Sequence, residues 1–329
     1  MQKRLLGHEG LQVSSVGLGC WSFGSAYGPT TEAESHDTLD AAIDHGITFL
    51  DTANVYGNGV SEQVIGSFLA KTSHKFTIAT KGGIHRPPGS TERTFDNSPK
   101  HLRTALEKSL TNLGVEYVDL YYIHRREAAR PIEDVMETLV RFKKEGKIGG
   151  IGFSEIAPAS LRRAHAIHPV TAIQSEYSLW TRQPELGMIQ ACKELGVAFV
   201  PFSPLGRGIF GSVTPDPTTF GKLDFRLANP RFTSPNFETN VKQIAAFKAY
   251  AADNGFQPAS LAIAWTLHKG EHLIPIPGTR SRDHLEEHAK AAQITLSAND
   301  MAEIDLILPA GFAHGYRYSE KQAVGAELY

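Results

Sequence analysis

Four side chains that could transfer protons stand at or just past the ends of short runs of apolar and β-branched residues. They are Asp51, Tyr56, Lys81 and His124. The runs themselves, residues 48–50, 76–80 and 118–123, are of the kind that predicts buried strands. A charge at the end of such a strand needs a partner, and Asp51 and Lys81 provide one for each other. We therefore expect the four side chains to form one proton-transfer set.

The chemistry of this set centres on the phenol of Tyr56. An unperturbed tyrosine has a pKa of about 10, which is high for acid-base catalysis near neutral pH. A nearby ammonium can lower that pKa by about one to three units, and Lys81 is the candidate. Asp51 would hold Lys81 charged and in place, and His124 could donate a hydrogen bond to a substrate carbonyl. Any one of these residues alone fits a structural ion pair, but four of them across three strand ends indicate catalysis.

Strand-like and helix-like segments alternate along the chain and predict the scaffold for this set. The strand candidates are VGLGC, ITFL, FTIAT, VDLYYI, GGIGFS, TAIQSE, VAFVPF and HLIPIP. Helices are expected between them, including one capped by Thr31 and Glu34 and one that begins at Ser98 and Pro99. Eight strand-helix units predict an α/β protein with a (β/α)8 TIM barrel.

Two features complete the predicted architecture. Residues 3–6 and 11–13 flank GHEG and predict an N-terminal β-hairpin that caps one end. A doubly wound open sheet is the alternative, but GLGCWSFG lacks the G-x-G-x-x-G spacing of its first turn. With no shift in composition along the chain, we expect one domain over residues 1–329.

Three stretches are too long for simple connections: residues 82–97, 205–235 and 309–329. The first two follow predicted strands, on the face where barrel enzymes build their sites. The third contains Phe312, Tyr316 and Tyr318, which predict that it covers a pocket.

Composition narrows the class of protein. Of 329 residues, 41% are hydrophobic and 21% charged, and the formal net charge of -2 predicts no general attraction to nucleic acid or membrane surfaces. Cys20 and Cys192 lack the spacing of a metal site, which favours a reduced, cytoplasmic chain. No apolar run suits a signal peptide or approaches the about 18 residues of a membrane span. The sequence is compatible with a monomer or a homo-oligomer.

At this point the sequence resembles the aldo-keto reductase superfamily, almost from end to end. The matching phrases are GLGCWSFG, FLDTANVYG, TKGG, VDLYYIHR, GGIGFSE, QSEYSLWTR, VPFSPLGRG and IPIPGTRSRDHLEEH. The resemblance implies a barrel that binds NADPH without a Rossmann domain and acts on small carbonyl or alcohol substrates. It also implies that Tyr56 is the general acid in reduction and the base in oxidation, with Asp51, Lys81 and His124 completing a catalytic tetrad.

The same resemblance implies a set of cofactor contacts. Ser154 and Gln174 would bind the nicotinamide carboxamide, and Phe202 would stack on the ring. Further contacts are implied for Gly19, Cys20, Trp21 and Asp51. The pyrophosphate strip would comprise Ser203, Pro204, Leu205, Arg207 and Gly208. The adenosine 2′-phosphate would be held by Gly278, Thr279, Arg280 and Ser281, which favours NADPH over NADH.

Some positions depart from the family pattern. Glu155 replaces an Asn that often contacts the carboxamide, and His288, after Glu287, replaces an Asn that often contacts the adenine. His284 stands where relatives have Arg or Gln near the 2′-phosphate. The resemblance therefore indicates a nicotinamide dinucleotide more clearly than it indicates NADPH over NADH. His284, Glu287 and His288 are still expected at the cofactor.

The substrate pocket is expected to be mainly apolar. Its predicted lining is Trp21, Val55, Tyr56, Ile84, His124, Arg125 and Trp180. Arg125 and Arg126 are expected to pair with Glu127 or Glu155 at the rim. If they were free, they would favour an anionic substrate.

Two other functions remain open from the sequence. Lys81 could form a Schiff base, as lysines at barrel strand ends do in lyases. Alternatively, the chain could be a cofactor-binding regulatory subunit of the kind that associates with membrane channels.

Overall fold

The structure, a computed structural model, describes residues 1–85, 93–222 and 224–327. Its strands are β1 (Lys3–Leu5), β2 (Gln12–Ser14), β3 (Leu18–Gly19), β4 (Phe49–Asp51), β5 (Thr77–Gly82), β6 (Ile84–His85), β7 (Thr94–Phe95), β8 (Val118–Ile123), β9 (Ile148–Ser154), β10 (Ala172–Glu176) and β11 (Ala198–Phe202). Its α-helices are α1 (Glu32–Asp44), α2 (Val60–Leu69), α3 (Pro99–Leu113), α4 (Ile132–Lys144), α5 (Pro158–Ile167), α6 (Met188–Leu195), α7 (Asn236–Asp253), α8 (Pro258–His268), α9 (Arg282–Lys290), α10 (Ala298–Ile307) and α11 (Glu320–Ala323).

Seven parallel strands form the main sheet, in the order β3, β4, β5, β8, β9, β10, β11. Residues 272–278 close it into a barrel. On one side Ile274 and Ile276 donate backbone hydrogen bonds to β11, and on the other the carbonyls of Pro275 and Pro277 accept from Gly17 and Gly19. The predicted (β/α)8 barrel is thereby confirmed.

The eighth segment, however, pairs through isolated bridges and not as a continuous strand. The physical reason is its sequence, because Pro275 and Pro277 have no N–H to donate to the neighbouring strand. The predicted strand HLIPIP therefore closes the barrel, but towards Gly17 and Gly19 it forms only about half of the hydrogen bonds of a regular parallel ladder.

Alternation of side chains along the strands explains the two hydrophobic clusters. In β8, Leu120 and Tyr122 belong to the smaller cluster inside the barrel, whereas Tyr121 and Ile123 belong to the larger one between strands and helices. Successive residues of a strand point to opposite faces, so both faces of the sheet are buried. Gly152 makes room for this interior, since a Cβ there would lie 2.4 Å from the ring of Tyr122.

The N-terminal hairpin closes one end of the barrel. Strands β1 and β2 pair antiparallel, and Leu6 and Val13 extend the interior cluster. Arg4 fastens the hairpin by donating to the carbonyls of Gly270 and Leu267, at 2.8 and 2.9 Å. The predicted hairpin and its capping position are confirmed.

Helix starts follow the predicted capping residues. Thr31 and Glu34 form a reciprocal capping box at α1. Ser98 accepts a hydrogen bond from the backbone of His101, and Pro99 is the first residue of α3. These signals are local in sequence, so the sequence alone predicts where α1 and α3 begin.

The three long stretches differ in structure. Within the first, β6 and β7 pair as a short hairpin, and residues 86–92 lie outside the described residues. The second consists of short 3-10 turns that lead into α7. The third contains α11, and its Arg317 and Glu327 form ion pairs with Glu155 and Arg126.

None of the helices that the structure describes is both long enough and apolar enough to span a lipid bilayer.

Candidate active site

Residues at or near the carboxyl ends of six barrel strands converge at one end of the molecule. Asp51 ends β4, Lys81 lies near the end of β5, and His124 follows β8. Ser154 and Phe202 are the last residues of β9 and β11, and Gln174 lies in the middle of the short strand β10. Because parallel strands in a barrel share one direction, their carboxyl ends form a single floor.

Lys81 and Asp51 form a buried ion pair in this floor. The Lys81 side chain is 0% exposed and that of Asp51 2%, and Lys81 Nζ donates a hydrogen bond to Asp51 Oδ1. Lys81 also donates to the carbonyl of Thr52 at 2.8 Å, and Gln174 donates to Asp51 Oδ2 at 2.7 Å. Charges removed from water need this degree of pairing to be tolerated.

Tyr56 lies directly over this pair. Lys81 Nζ lies 5.1 Å from the centroid of the Tyr56 ring, and the ring of His124 packs edge-on at 5.7 Å. The phenol is held by the turn that follows it, in which Gly57 has a φ of 57°. That turn packs against Gly24, where a Cβ would lie 2.4 Å from the Gly57 nitrogen.

The pKa of Tyr56 differs from the expectation that Lys81 lowers it. Burial raises the pKa of the Tyr56 phenol well above its usual value, the Asp51 carboxylate raises it further, and Arg125 opposes the shift. The physical reason is that burial outweighs the cations near the phenol, and the ammonium of Lys81 is paired with Asp51. Burial likewise lowers the pKa of Lys81 itself, against the attraction of Asp51. Tyr56 is consequently protonated at neutral pH and able to act as an acid.

A cavity of about 960 Å³ opens above the floor and extends to α9. Most predicted site residues line it: Gly19, Trp21, Asp51, Val55, Tyr56, Ile84, His124, Arg125, Ser154, Gln174, Phe202, Ser203, Pro204, Leu205, Arg207, Gly208, Gly278, Thr279, Arg280, His284, Glu287 and His288. The volume is of the size that binds a dinucleotide or a drug-sized ligand.

Four predicted site residues do not line the cavity. Lys81 is fully buried in its pair with Asp51, and Cys20 is 0% exposed in the core, where its thiol faces the Leu18 carbonyl. Ser281 instead caps α9 by accepting a hydrogen bond from the His284 backbone. The prediction that Trp180 lines the substrate pocket is wrong, because its ring packs in the core 5.5 Å from the ring of Phe232.

The outer end of the cavity is built by the start of α9. Arg280 lines it, and its Nη1 is buried without a hydrogen-bond partner among the described residues. His288 is 3% exposed, and burial lowers its pKa from 6.5 to about 3, with His284 adding to the shift. A guanidinium nitrogen without a hydrogen-bond partner among the described residues, on the residue that precedes the N-cap of α9, suits a phosphate group.

The arginines at the inner rim pair differently from the prediction. Arg126 binds Glu327 at 2.8 Å, and Glu127 binds Arg130 at 2.8 Å. Glu155 binds Arg317 of the tail, and Arg125 donates to Ser154 Oγ at 3.0 Å. The predicted pairing of Arg125 or Arg126 with Glu127 or Glu155 is therefore wrong, because partners from the tail and from residue 130 take these carboxylates.

Arg207 also has a structural partner. Its Nη2 donates to Glu176 at 2.8 Å, and both side chains are 3% exposed. Its guanidinium lies 4.7 Å from the ring of Phe225. The side chain is thus engaged below the cavity surface, and the strip at residues 203–208 offers mainly its backbone to a ligand.

Sequence reasoning missed several residues of the cavity wall. They are Tyr27, Arg93, Phe225, Arg226 and Gln322. Only Tyr318 of the three tail aromatics lines the cavity, since Tyr316 is 85% exposed and Phe312 packs on the core. No local pattern marks these residues, because their positions depend on how the long segments fold across the barrel.

Among the described ranges 1–85, 93–222 and 224–327, no cluster of three or more His, Cys, Asp or Glu side chains could hold a metal ion. Both cysteines are buried thiols, and burial raises the pKa of each.

Comparisons with known proteins show the family of the chain. The family model described as Aldo/keto reductase family matches residues 15–309. The chain is 41% identical to probable aldo-keto reductase 1 of Glycine max over 95% of this chain and 90% of that protein. It is 37% identical to the NADP(+)-designated aldo-keto reductase yakc of Schizosaccharomyces pombe, over 89% and 87% of the two chains.

A solved structure gives the same result for the fold. Glycerol dehydrogenase AKR11B4 of Gluconobacter oxydans superposes with a TM-score of 0.84 at 29% identity, covering 93% of this chain and 94% of that one. From the barrel, the residues at its strand ends and these relatives, we conclude that the chain belongs to the aldo/keto reductase family of oxidoreductases.

Proposed function

We propose that the protein is an NADP(H)-dependent oxidoreductase that reduces aldehydes or ketones and, in reverse, oxidises alcohols in the manner of an alcohol dehydrogenase. One observation carries the proposal. The phenol of Tyr56 lies over a buried ion pair on the floor of a cavity, and at the far end of that cavity Arg280 Nη1 has no hydrogen-bond partner among the described residues.

The donor set around the cavity fits a nicotinamide dinucleotide. Ser154, Gln174 and Phe202 would hold the nicotinamide, and the strip at residues 203–208 would hold the pyrophosphate. Gly278, Thr279 and Arg280 would hold the adenosine 2′-phosphate, with His284, Glu287 and His288 beside the adenosine. The orphaned Nη1 of Arg280 supports a phosphate at this place. The NADP(+) in the name of the yeast relative supports the choice of NADP(H).

The nicotinamide, when bound, supplies the hydride, and the chain supplies the proton. Tyr56 donates its phenolic proton to the carbonyl oxygen during reduction and accepts it back during oxidation. Its raised pKa keeps it in the acid form through neutral pH. His124, whose ring packs on Tyr56, orients the carbonyl oxygen. Lys81 and Asp51 fix the phenol from below.

A spectrophotometric panel tests this function. The purified protein is mixed with NADPH or NADH and a set of aldehydes and ketones, and with NADP+ or NAD+ and a set of alcohols. We expect consumption of NADPH with at least one class of aldehyde, faster than with NADH. If no carbonyl or alcohol changes the nicotinamide absorbance with either cofactor, the proposed function is wrong.

The structure favours neither alternative function. A Schiff base would require Lys81 to reach a substrate, but Lys81 is 0% exposed, does not line the cavity and donates to Asp51. Borohydride added with a carbonyl substrate should therefore trap no adduct. Rapid turnover by the isolated chain would likewise count against a purely regulatory subunit.

A further inference from the structure

Arg125 is a buried cation in the cavity wall, and no acidic side chain that the structure describes pairs with it. Its side chain lines the cavity, and the residue is 7% exposed. Nη1 donates to the carbonyl of His124 at 2.6 Å and to Ser154 Oγ at 3.0 Å, both uncharged groups. No carboxylate within the described ranges forms an ion pair with it.

The neighbouring arginines show what Arg125 lacks. Arg126, one residue on, is neutralised by Glu327, and Arg130 is neutralised by Glu127. The acidic residue at the end of β9, Glu155, is taken by Arg317 of the tail. The described acidic side chains of this rim, Glu327, Glu127 and Glu155, are thus paired with other arginines, and the Arg125 guanidinium lines the cavity without one of them.

The unused part of the guanidinium has a defined shape. Both hydrogen bonds of Arg125 come from Nη1, Nε is buried without a partner, and Nη2 makes no hydrogen bond within the part of the chain that the structure describes. The Nε–Nη2 edge of a guanidinium presents two parallel N–H groups that match the two oxygens of a carboxylate. A buried charge without such a partner is costly, so an anion that enters the cavity would be strongly held.

Arg125 is next in sequence to a residue that contacts Tyr56, the group that would transfer the proton. His124 precedes Arg125 and packs its ring on Tyr56. The charge of Arg125 also acts on the Tyr56 phenol, whose pKa it lowers. Arg125 and Tyr56 line the same cavity, so an anionic group bound at Arg125 would lie in the space that a carbonyl at Tyr56 also occupies.

We propose that Arg125 binds a carboxylate of the substrate, so that the preferred substrates are oxo acids: aldehydes or ketones that carry a carboxylate near the carbonyl. This inference rests on the proposed reductase function and names its substrate class. Arg125 would then determine specificity, in addition to fixing Ser154 and the His124 carbonyl.

The test compares two matched substrates, 4-formylbenzoate and its methyl ester, with NADPH as reductant. The wild-type protein should prefer the carboxylate by about tenfold or more in kcat/KM. Arg125→Met should lose about 10- to 100-fold for the carboxylate, mainly in KM, and less than about threefold for the ester, because a charge-assisted hydrogen bond is lost only with the former. Arg125→Lys should retain an intermediate preference.

Arg130→Met is the matched control, since it removes an equal charge from the same loop, where Arg130 is paired with Glu127. It should leave the substrate preference unchanged. Equal losses for acid and ester in Arg125→Met would mean that Arg125 acts on every carbonyl or only holds Ser154, and would overturn the inference. A preference of the wild-type protein for the ester would also overturn the inference. If the wild-type protein reduces neither of these two substrates nor any other carbonyl compound, the proposed function itself is contradicted.

Discussion

At its inner end the cavity is bounded by side chains from the ends of barrel strands, whereas its outer end is bounded by a loop and the first turn of α9. At the inner end Asp51 and Lys81 are almost completely buried and hold each other. At the outer end Arg280 has no ion-pair partner among the described residues, and an atom of its guanidinium lacks any hydrogen-bond partner. The inner end is built to keep charges in place, and the outer end is built to receive one.

This difference predicts a division of labour. Strand ends in a closed barrel cannot move independently, so they suit a proton donor whose geometry must be fixed. A helix start with an unpaired arginine suits a ligand phosphate whose charge completes the site. Changes at the inner end should therefore alter turnover or stability, and changes at the outer end should alter cofactor affinity.

The largest effect is expected for Tyr56→Phe. Loss of the general acid should lower the rate of carbonyl reduction by about 10³-fold, while NADPH affinity changes less than about threefold. Single-turnover absorbance measures the first quantity, and a fluorescence titration measures the second. Tyr316→Phe is the control, because Tyr316 is 85% exposed. A comparable loss of both quantities in Tyr56→Phe would mean that the phenol binds the cofactor.

Lys81→Met should show how the inner end is held together. It leaves Asp51 buried without its cation, so the free energy of unfolding should fall by about 3 kcal/mol or more. Urea denaturation measures this change. Lys143→Met, which removes a lysine from a partly exposed pair with Glu9, should cost about 1 kcal/mol or less. Adding Asp51→Asn to Lys81→Met should restore part of the lost stability. If stability falls further, the unpaired Asp51 carboxylate is not the cause of the loss in Lys81→Met.

Arg280→Ala should affect the outer end alone. NADPH affinity should fall about 10- to 100-fold and NADH affinity less than about threefold, because only the former carries the 2′-phosphate. Arg282→Ala is a close control, since Arg282 pairs with Asp37 and Asp44 on α1. Equal loss for both cofactors in Arg280→Ala would place the 2′-phosphate elsewhere.

His288, at the outer end, should make the free energy of unfolding depend on pH. Burial lowers its folded-state pKa to about 3, so its neutral form is favoured in the folded protein. The stability that follows is fully present above the unfolded pKa of about 6.5 and is lost as pH falls towards 3, by about 2 kcal/mol at pH 5. Urea denaturation should show a shallower decline between pH 7 and 5 for His288→Gln than for the wild type. The exposed His8→Gln should behave like the wild type, and an unchanged slope in His288→Gln would show that another group titrates.

The inner end was the more predictable from sequence. Asp51, Lys81 and His124 each end or follow a strand that its own apolar residues define, so local pattern places them at one face. The capping box at Thr31 and Glu34 is local in the same sense. Barrel topology then brings these strand ends together.

The rest depends on long-range contacts that no local pattern encodes. Glu155 pairs with Arg317, 162 residues away, and no local pattern predicts that contact. Trp180 has the composition of a pocket residue but packs in the core against Phe232. Pro275 and Pro277 reduce the eighth strand to isolated bridges although their neighbours are apolar.

The division of labour is tested most directly by combining the inner and outer changes in Tyr56→Phe/Arg280→Ala. NADPH affinity is measured by titration, and the rate of carbonyl reduction is measured at saturating NADPH. If the two ends act independently, the double variant has the affinity of Arg280→Ala and the rate of Tyr56→Phe, each within about threefold. A rate that falls further at saturation, or an affinity that weakens further, would show that the ends are not separate and would contradict the account.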